Sequence, residues 1–326
     1  MNTVLNWFPA VLVLAVGAAA FAAVCAAICW AVFGDTLRQI EPRQRFWMLG
    51  GLVASPPLAA VLILVLAFYP SLLDIIGLVA DHCGTHSGHS LHLCFIHYSP
   101  PSVSAPILWG CVGLVAIGGF HVSREIASTA SSLRWVDRLV RLARFDGERG
   151  IYVVESDRLL ALTAGLFRRR IVISDRIQQC LSPKQLAAVI AHERAHLRRF
   201  DGASLFFLRL AAGFHLPGIR RQMTEQLQLA SEQCCDQAAA SVNDDLTVAE
   251  AILAVERHRH QPLAVSGLEQ FYTSDVEQRV QALLRNDWYR PHWIVIAAIA
   301  VTAVLVLSLN LHNFHHLIEH AFAWLV

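Results

Sequence analysis

From Met1 to Gly34 the chain carries no charged side chain, and its central part reads FPAVLVLAVGAAAFAAVCAAICWAVF. About 20 apolar residues of helix cross a hydrocarbon core, where no water can satisfy bare backbone groups. A run of this length therefore commits the chain to a helix in a bilayer. A cleaved signal peptide would start with basic residues and have a shorter apolar stretch, so the helix is read as retained. Three further runs repeat the pattern: Trp47 to Tyr69, Val103 to Val122, and Trp293 to Leu309. Pro56-Pro57 is expected to kink the second, and Trp288, Tyr289 and Trp293 form an interfacial anchor for the fourth. The whole chain of 326 residues is 55% hydrophobic and 16% charged. Its mean hydropathy of +0.47 is too apolar for an ordinary soluble domain.

Four spans divide the chain into a three-helix membrane region (1–122), a large segment (123–290), a fourth span (291–311) and a tail (312–326). Arg38, Arg43 and Arg45 lie between the first two spans, and 123–290 holds nearly all the other Lys and Arg, whereas the loop 70–102 and the tail hold none. The positive-inside rule then places both termini outside and 123–290 in the cytoplasm, the arrangement of a multi-pass protein of a bacterial inner membrane. Cys83 and Cys94 share the outside loop, where an oxidising compartment would allow a disulfide. Cys25, Cys29, Cys111, Cys180, Cys234 and Cys235 are read as packing residues. The same loop holds His82, His86, His89, His92 and His97, and the tail holds His312, His315, His316 and His320, nine of the sixteen histidines. Imidazole and thiolate suit zinc, copper or nickel, so a metal- or pH-responsive outer face is one reading. A polar loop that happens to be rich in histidine is the other.

Residues 123–150 read either as an amphipathic helix leaving the membrane along a basic surface or as a continuation of span three. The β-branched runs IYVVE (151–155) and RIVIS (170–174) predict a small sheet, with a turn or bulge in the intervening LLALTAGLFRR. A helix follows at LSPKQLAAVIAHERAHLRR: Ser182 is its N-cap, Pro183 its first residue, and Gln185 completes a capping box. Residues 203–217 are apolar but short, which suggests contact with the membrane surface. Capping boxes at Thr247/Glu250 and Ser274/Glu277 start two more helices. The expected fold is an α-helical membrane protein of four spans with a mostly helical domain holding a small β-sheet.

Within the capped helix stands His192-Glu193-Arg194-Ala195-His196. Residues four apart share a helix face, so the two imidazoles can reach one Zn²⁺, and Glu193 stands where a base for water is needed. A catalytic zinc needs a third protein ligand. In LASEQCCDQAAA, Glu232 and Asp236 are also four apart; one would complete the metal's ligands and the other would hydrogen-bond a ligand imidazole.

The stretches GLFRRRIVIS, LSPKQLAAVIAHERAHLRRFD and SEQCCDQAA resemble the BlaR/MecR-type membrane metallopeptidases and, more distantly, the HtpX and Ste-type zincins. The resemblance implies a gluzincin-like fold with Glu193 as catalytic base, His192, His196 and Glu232 as zinc ligands, and Asp201 and Asp236 as supporting carboxylates. Arg169 stands where that family has proline. The family's large outer penicillin-binding domain is not expected here, since only NLHNFHHLIEHAFAWLV follows the fourth span. What remains implied is a transducer that cleaves a cytoplasmic protein, in relatives a DNA-binding repressor like BlaI, with self-cleavage and pairing with a second copy as further expectations and no direct contact with nucleic acid. An HtpX/Ste-like processing protease and a non-catalytic membrane metal sensor are the alternatives. Zincin substrates add as a strand beside a sheet edge, for which RIVIS is the candidate. His215, His258, His260 and Tyr272 are candidates for stabilising the oxyanion.

Overall fold

The structure is a computed structural model that describes residues 6–77, 93, 102–165, 169–259, 272–285, 288–289, 302 and 311–325. Three helices, α1 (Phe8–Arg38), α2 (Pro42–Ile75) and α3 (Ala105–Leu142), are long and apolar enough to cross a membrane. Only 6% of the most apolar window of α3 is buried inside the protein, an apolar surface that fits a membrane helix. The fourth expected span, the histidines at 82–97 and the Cys83/Cys94 pair lie outside the described residues.

α1 and α2 form a hairpin with a packed cluster at each end. At one end Trp7, Leu14, Leu66 and Phe68 enclose Ile318 and Phe322 of a C-terminal helix, α10 (Leu311–Leu325). At the other, Trp30, Phe46, Leu49 and Val53 pack on Ala212, Met223 and Leu227 of the large segment. The hairpin turn is itself pinned: Glu41 N–H donates to Tyr289 O (3.2 Å) and Tyr289 N–H to Gln39 O (3.3 Å).

Pro56-Pro57 lies within α2, which is assigned as helix on both sides of it. Of the two readings of 123–150, continuation of span three holds for 123–142, which are the last turns of α3; Arg144–Asp146 then forms a strand.

The sheet has four strands: β1 (Arg144–Asp146), β2 (Ile151–Val154), β3 (Ala161–Ala164) and β4 (Arg170–Ser174), in the order β1-β2-β4-β3. β3 occupies the stretch expected to be a turn or bulge, pairing antiparallel with β4. RIVIS is consequently an interior strand, and the edge strand beside the helix that carries His192 and His196 is β3. The reason is burial: Ile171, Val172 and Ile173 are all under 4% exposed, the mark of a strand covered on both sides.

Helices α4 (Asp175–Cys180), α5 (Pro183–Arg199), α6 (Asp201–Ala212), α7 (Pro217–Ala240), α8 (Asp245–Arg259) and α9 (Tyr272–Leu284) complete the domain. The capping box of α5 is formed on both sides, Gln185 N–H to Ser182 Oγ and Ser182 N–H to Gln185 Oε1. One flank of α5 packs Leu186 and Ile190 on Ile151, Ile171 and Ile173 of the sheet. Another packs Ala188 on Ala239 and Val248. α8 starts earlier than expected, with Asp244 rather than Thr247 as its cap: the Thr247 amide and hydroxyl both donate to that carboxylate at 2.7 Å. Ser274 likewise lies inside α9. The apolar stretch 203–217 is mainly α6, which sets Leu205 and Leu208 on the hairpin cluster and leaves Phe207 exposed.

Candidate metal centre

α5 crosses α7 so that three donors from two helices converge. His192 Nε2 and His196 Nε2 are 3.1 Å apart, and each is 3.4 Å from an oxygen of Glu232. Zinc bonds of ~2.0–2.2 Å in a tetrahedron put ligand atoms about 3.3–3.6 Å apart, so the three positions suit one ion. Two imidazoles and a carboxylate are also a donor set that zinc accepts, leaving one corner free.

The surroundings hold these donors in place. His192 Nδ1 is 2.9 Å from Asp236 Oδ1, and His196 Nδ1 is 2.9 Å from Asp201 Oδ2. Each ring thus turns its far nitrogen to a carboxylate and its near nitrogen to the shared centre. Asp201 also accepts from Ser231 Oγ (2.9 Å) and from Arg199 Nε. Burial works against charge on His192, but Asp236 and Glu232 outweigh it and push the imidazole up to about 9; His196 is raised too, against its burial, by Asp201, Cys235 and Glu232. A pocket that draws protons onto two imidazoles has a negative potential, which a divalent cation would neutralise.

Two residues at the centre, Arg279 and Thr163, escaped the reading of the sequence, and two that it named, Cys235 and Arg169, make contacts it did not foresee. Arg279 of α9 makes a two-pronged bond to Asp236 (both 2.8 Å) and lies 3.2 Å from Glu232. Burial would raise the pKa of both carboxyls, but Arg279, aided by the imidazoles, holds them below the ordinary range. Its signal was charge balance: Glu232, Asp236 and Asp201 carry more negative charge than one divalent ion cancels. Thr163 of β3 sets its hydroxyl 2.8 Å from Glu193 Oε2 and from the Glu193 carbonyl. Glu193 itself is buried.

Cys235, expected to be mere packing, has its Sγ 3.3 Å from both His196 Nδ1 and Asp201 Oδ2, and burial pushes its thiol up to about 12. It stands three residues after Glu232 and so shares its helix face, which the spacing could have revealed. Arg169 donates to Leu197 O at the end of α5, and its guanidinium lies 3.5 Å from the centre of the Phe200 ring. Phe200 links α5 to α6 at φ 59°, a left-handed conformation that a bulky side chain rarely adopts. Arg169 thus caps the helix bearing the histidines.

The expected oxyanion candidates fare differently. His215 is buried and bonds to Val53 O on α2, and His258 bonds to Ala254 O one turn back. Both are occupied structurally. His260 and the Tyr272 side chain lie outside the described residues.

The model of peptidase family M48 matches residues 128–263. No curated protein and no solved structure matches the chain. The matched segment contains the whole donor cluster but stops short of Arg279. Residues 128–263 are thus similar to a metallopeptidase of family M48, and the chain also carries apolar helices of membrane-spanning length.

Proposed function

We propose that the chain is a zinc-dependent endopeptidase embedded in a bacterial inner membrane, which cuts a cytoplasmic protein, of the BlaI-like repressor class, in response to a signal across the membrane. The observation that carries the peptidase reading is the convergence of His192, His196 and Glu232 beside a buried Glu193. When bound, zinc supplies Lewis acidity at the open corner of that cluster.

The chain's own residues do the rest. β3 is the edge strand along α5, and a substrate strand pairing there is held extended beside Glu193. Glu193 takes the proton of the attacking water and returns it to the leaving amide nitrogen. The Thr163 hydroxyl fixes the carboxylate that moves this proton, and Asp201 and Asp236 orient the two imidazoles.

The signalling part of the reading is supported by a direct connection between the hairpin and the donor helix. Arg45 of α2 is 3% exposed and donates to Gln233, the residue after Glu232. Gln233 in turn donates to Gln278 O (3.0 Å), beside Arg279. Movement of α2 would therefore reach Glu232 through one buried side-chain pair.

The test is a comparison of cleaved proteins in cells carrying the wild type and Glu193→Gln. A repressor cut only with the wild type supports the reading. A broad set of damaged membrane proteins would replace it with a processing protease, and identical profiles would remove the peptidase.

A further inference from the structure

α6 and α7 meet in a corner whose outer side chains are apolar. Phe207, Phe214 and Leu216 are exposed there, while Leu205, Leu208 and Ala212 of the same stretch pack on the hairpin. The peptidase reading makes no use of this corner.

Its neighbours fix its height in the molecule. His215 Nε2 lies 3.1 Å from the Val53 carbonyl of α2, and the Leu208 side chain packs over Gly50 of the same helix. α2 carries no charged side chain from Phe46 to Leu73. Val53 stands eight residues past Arg45, about 12 Å along the helix axis. On the other side, His121 Nε2 of α3 lies 3.0 Å from the Arg209 carbonyl, and the His121 ring fills the space that a side chain at Gly213 would need. α3 is uncharged from Ala105 to Ser123, so His121 stands about 5 Å short of the first charge, Arg124. Both helices therefore put the corner on the apolar side of their first charges, and α3 puts it within a turn of that boundary.

The corner's own residues match such a place. Arg220 and Arg221 follow Leu216 in the first turn of α7. Apolar tips flanked by guanidiniums suit the edge of a bilayer, where acyl chains meet phosphates. The surface is also continuous with the spans, whose exposed apolar side chains run on from it at Leu58 of α2 and at Ile117 and Phe120 of α3.

We propose that the α6–α7 corner is a lipid contact, with Phe207, Phe214 and Leu216 among the acyl chains and Arg220 and Arg221 at the headgroup phosphates. It is built from the two helices that supply Asp201 and Glu232. Glu232 lies sixteen residues past Leu216, so a bilayer holding the corner sets the metal centre no more than about 24 Å from the contact. The contact stands independent of catalysis; its bearing on which peptide bonds are reached rests on the peptidase reading.

The experiment uses the full-length protein, one copy per nanodisc, with a phosphatidylcholine that carries a diazirine in one acyl chain. Adducts formed on irradiation are mapped by mass spectrometry. Val242, just past the far end of α7, is 73% exposed against 70% for Leu216, and so controls for exposure alone. Adducts should form at 207–216 as well as on α1–α3, with none at Val242. Leu216→Asp should lower labelling at 207–214 about tenfold while α1–α3 stay labelled, and Leu216→Met should keep it. Glu193→Gln should leave it unchanged even though cleavage is lost. No adduct at 207–216 in the wild type means that protein or water covers the corner and overturns the proposal, as does equal labelling of Val242.

Discussion

Two places in this molecule join a pair of histidines to a glutamate, and they differ in what spacing does with the same side chains. At the metal centre the histidines are four apart on α5, and Glu232 arrives from α7, so that one donor atom from each falls within 4.8 Å of the others. At the opposite end of the bundle, His315, His316 and Glu319 all come from α10. There His315 Nε2 meets one oxygen of Glu319 at 3.2 Å and His316 Nδ1 meets the other at 3.0 Å. The Leu93 amide also donates to Glu319, at 2.9 Å. A carboxylate in the middle of its partners fastens a helix; a carboxylate at the side of two imidazoles leaves room for an ion.

The sharpest test of that contrast is at Glu193, the residue that should matter for chemistry and not for binding. Glu193→Gln should lower peptide cleavage by about 10²–10⁴, the usual worth of a general base, with zinc content by plasma mass spectrometry unchanged. If zinc is lost together with activity, Glu193 is part of the ion's support and the division of roles is wrong.

Next in size is the third donor. Glu232→Ala should reduce retained zinc to a small fraction after dialysis, and a chelator should abolish cleavage by the wild type until zinc is returned. Glu319→Ala should leave zinc content untouched. Equal loss from both variants would mean that the two clusters are alike after all.

A smaller effect is expected one layer out. Asp201→Asn or Asp236→Asn should weaken zinc binding by about 10–100-fold, as for other carboxylates behind metal-bound imidazoles. Arg169→Ala should keep zinc yet lower stability by about 1.5–3 kcal/mol, the range for a lost charged hydrogen bond. Thermal unfolding of the two kinds of variant, with and without zinc, separates them: saturating zinc should recover part of the stability of the Asp variants but none of the stability lost in Arg169→Ala.

How far these features could be read in advance depended on whether they are local. The charge-free run to Gly34, the capping box at Ser182 and the four-residue spacing of His192 and His196 are written within a turn or two of chain, and all reappear in three dimensions. Glu232 could be paired with them because its own helix repeats the carboxylate at Asp236. Thr163 and Arg279 carried no such mark: each reaches its partner across 30 and 43 residues of chain, through a packing that no periodicity encodes. β3 was missed for a related reason. Ala161–Ala164 has little β-branched character, and only pairing with β4 makes it a strand. With β3 unseen, RIVIS looked like an edge.

The smallest effect tests the far cluster by acid. Burial would raise the carboxyl of Glu319, but His315, the Leu93 amide and His316 outweigh it and lower the value from 4.5 to about 2. A carboxyl depressed by folding adds its stabilisation in full above its unfolded value and loses it as pH falls toward its folded one. Among the described residues the two imidazoles and the Leu93 amide face Glu319, with the Tyr69 ring against His315. α10 should therefore stay docked from neutral pH down to about 4.5 and loosen only between there and about 2. Hydrogen exchange at the Leu93 amide and along α10 reads this directly. Glu319→Gln should raise exchange there at neutral pH by a few-fold and flatten the acid response. Release of α10 between pH 7 and 5 in the wild type would contradict the fastening role and return the histidines of this end to the status of a physiological acid sensor.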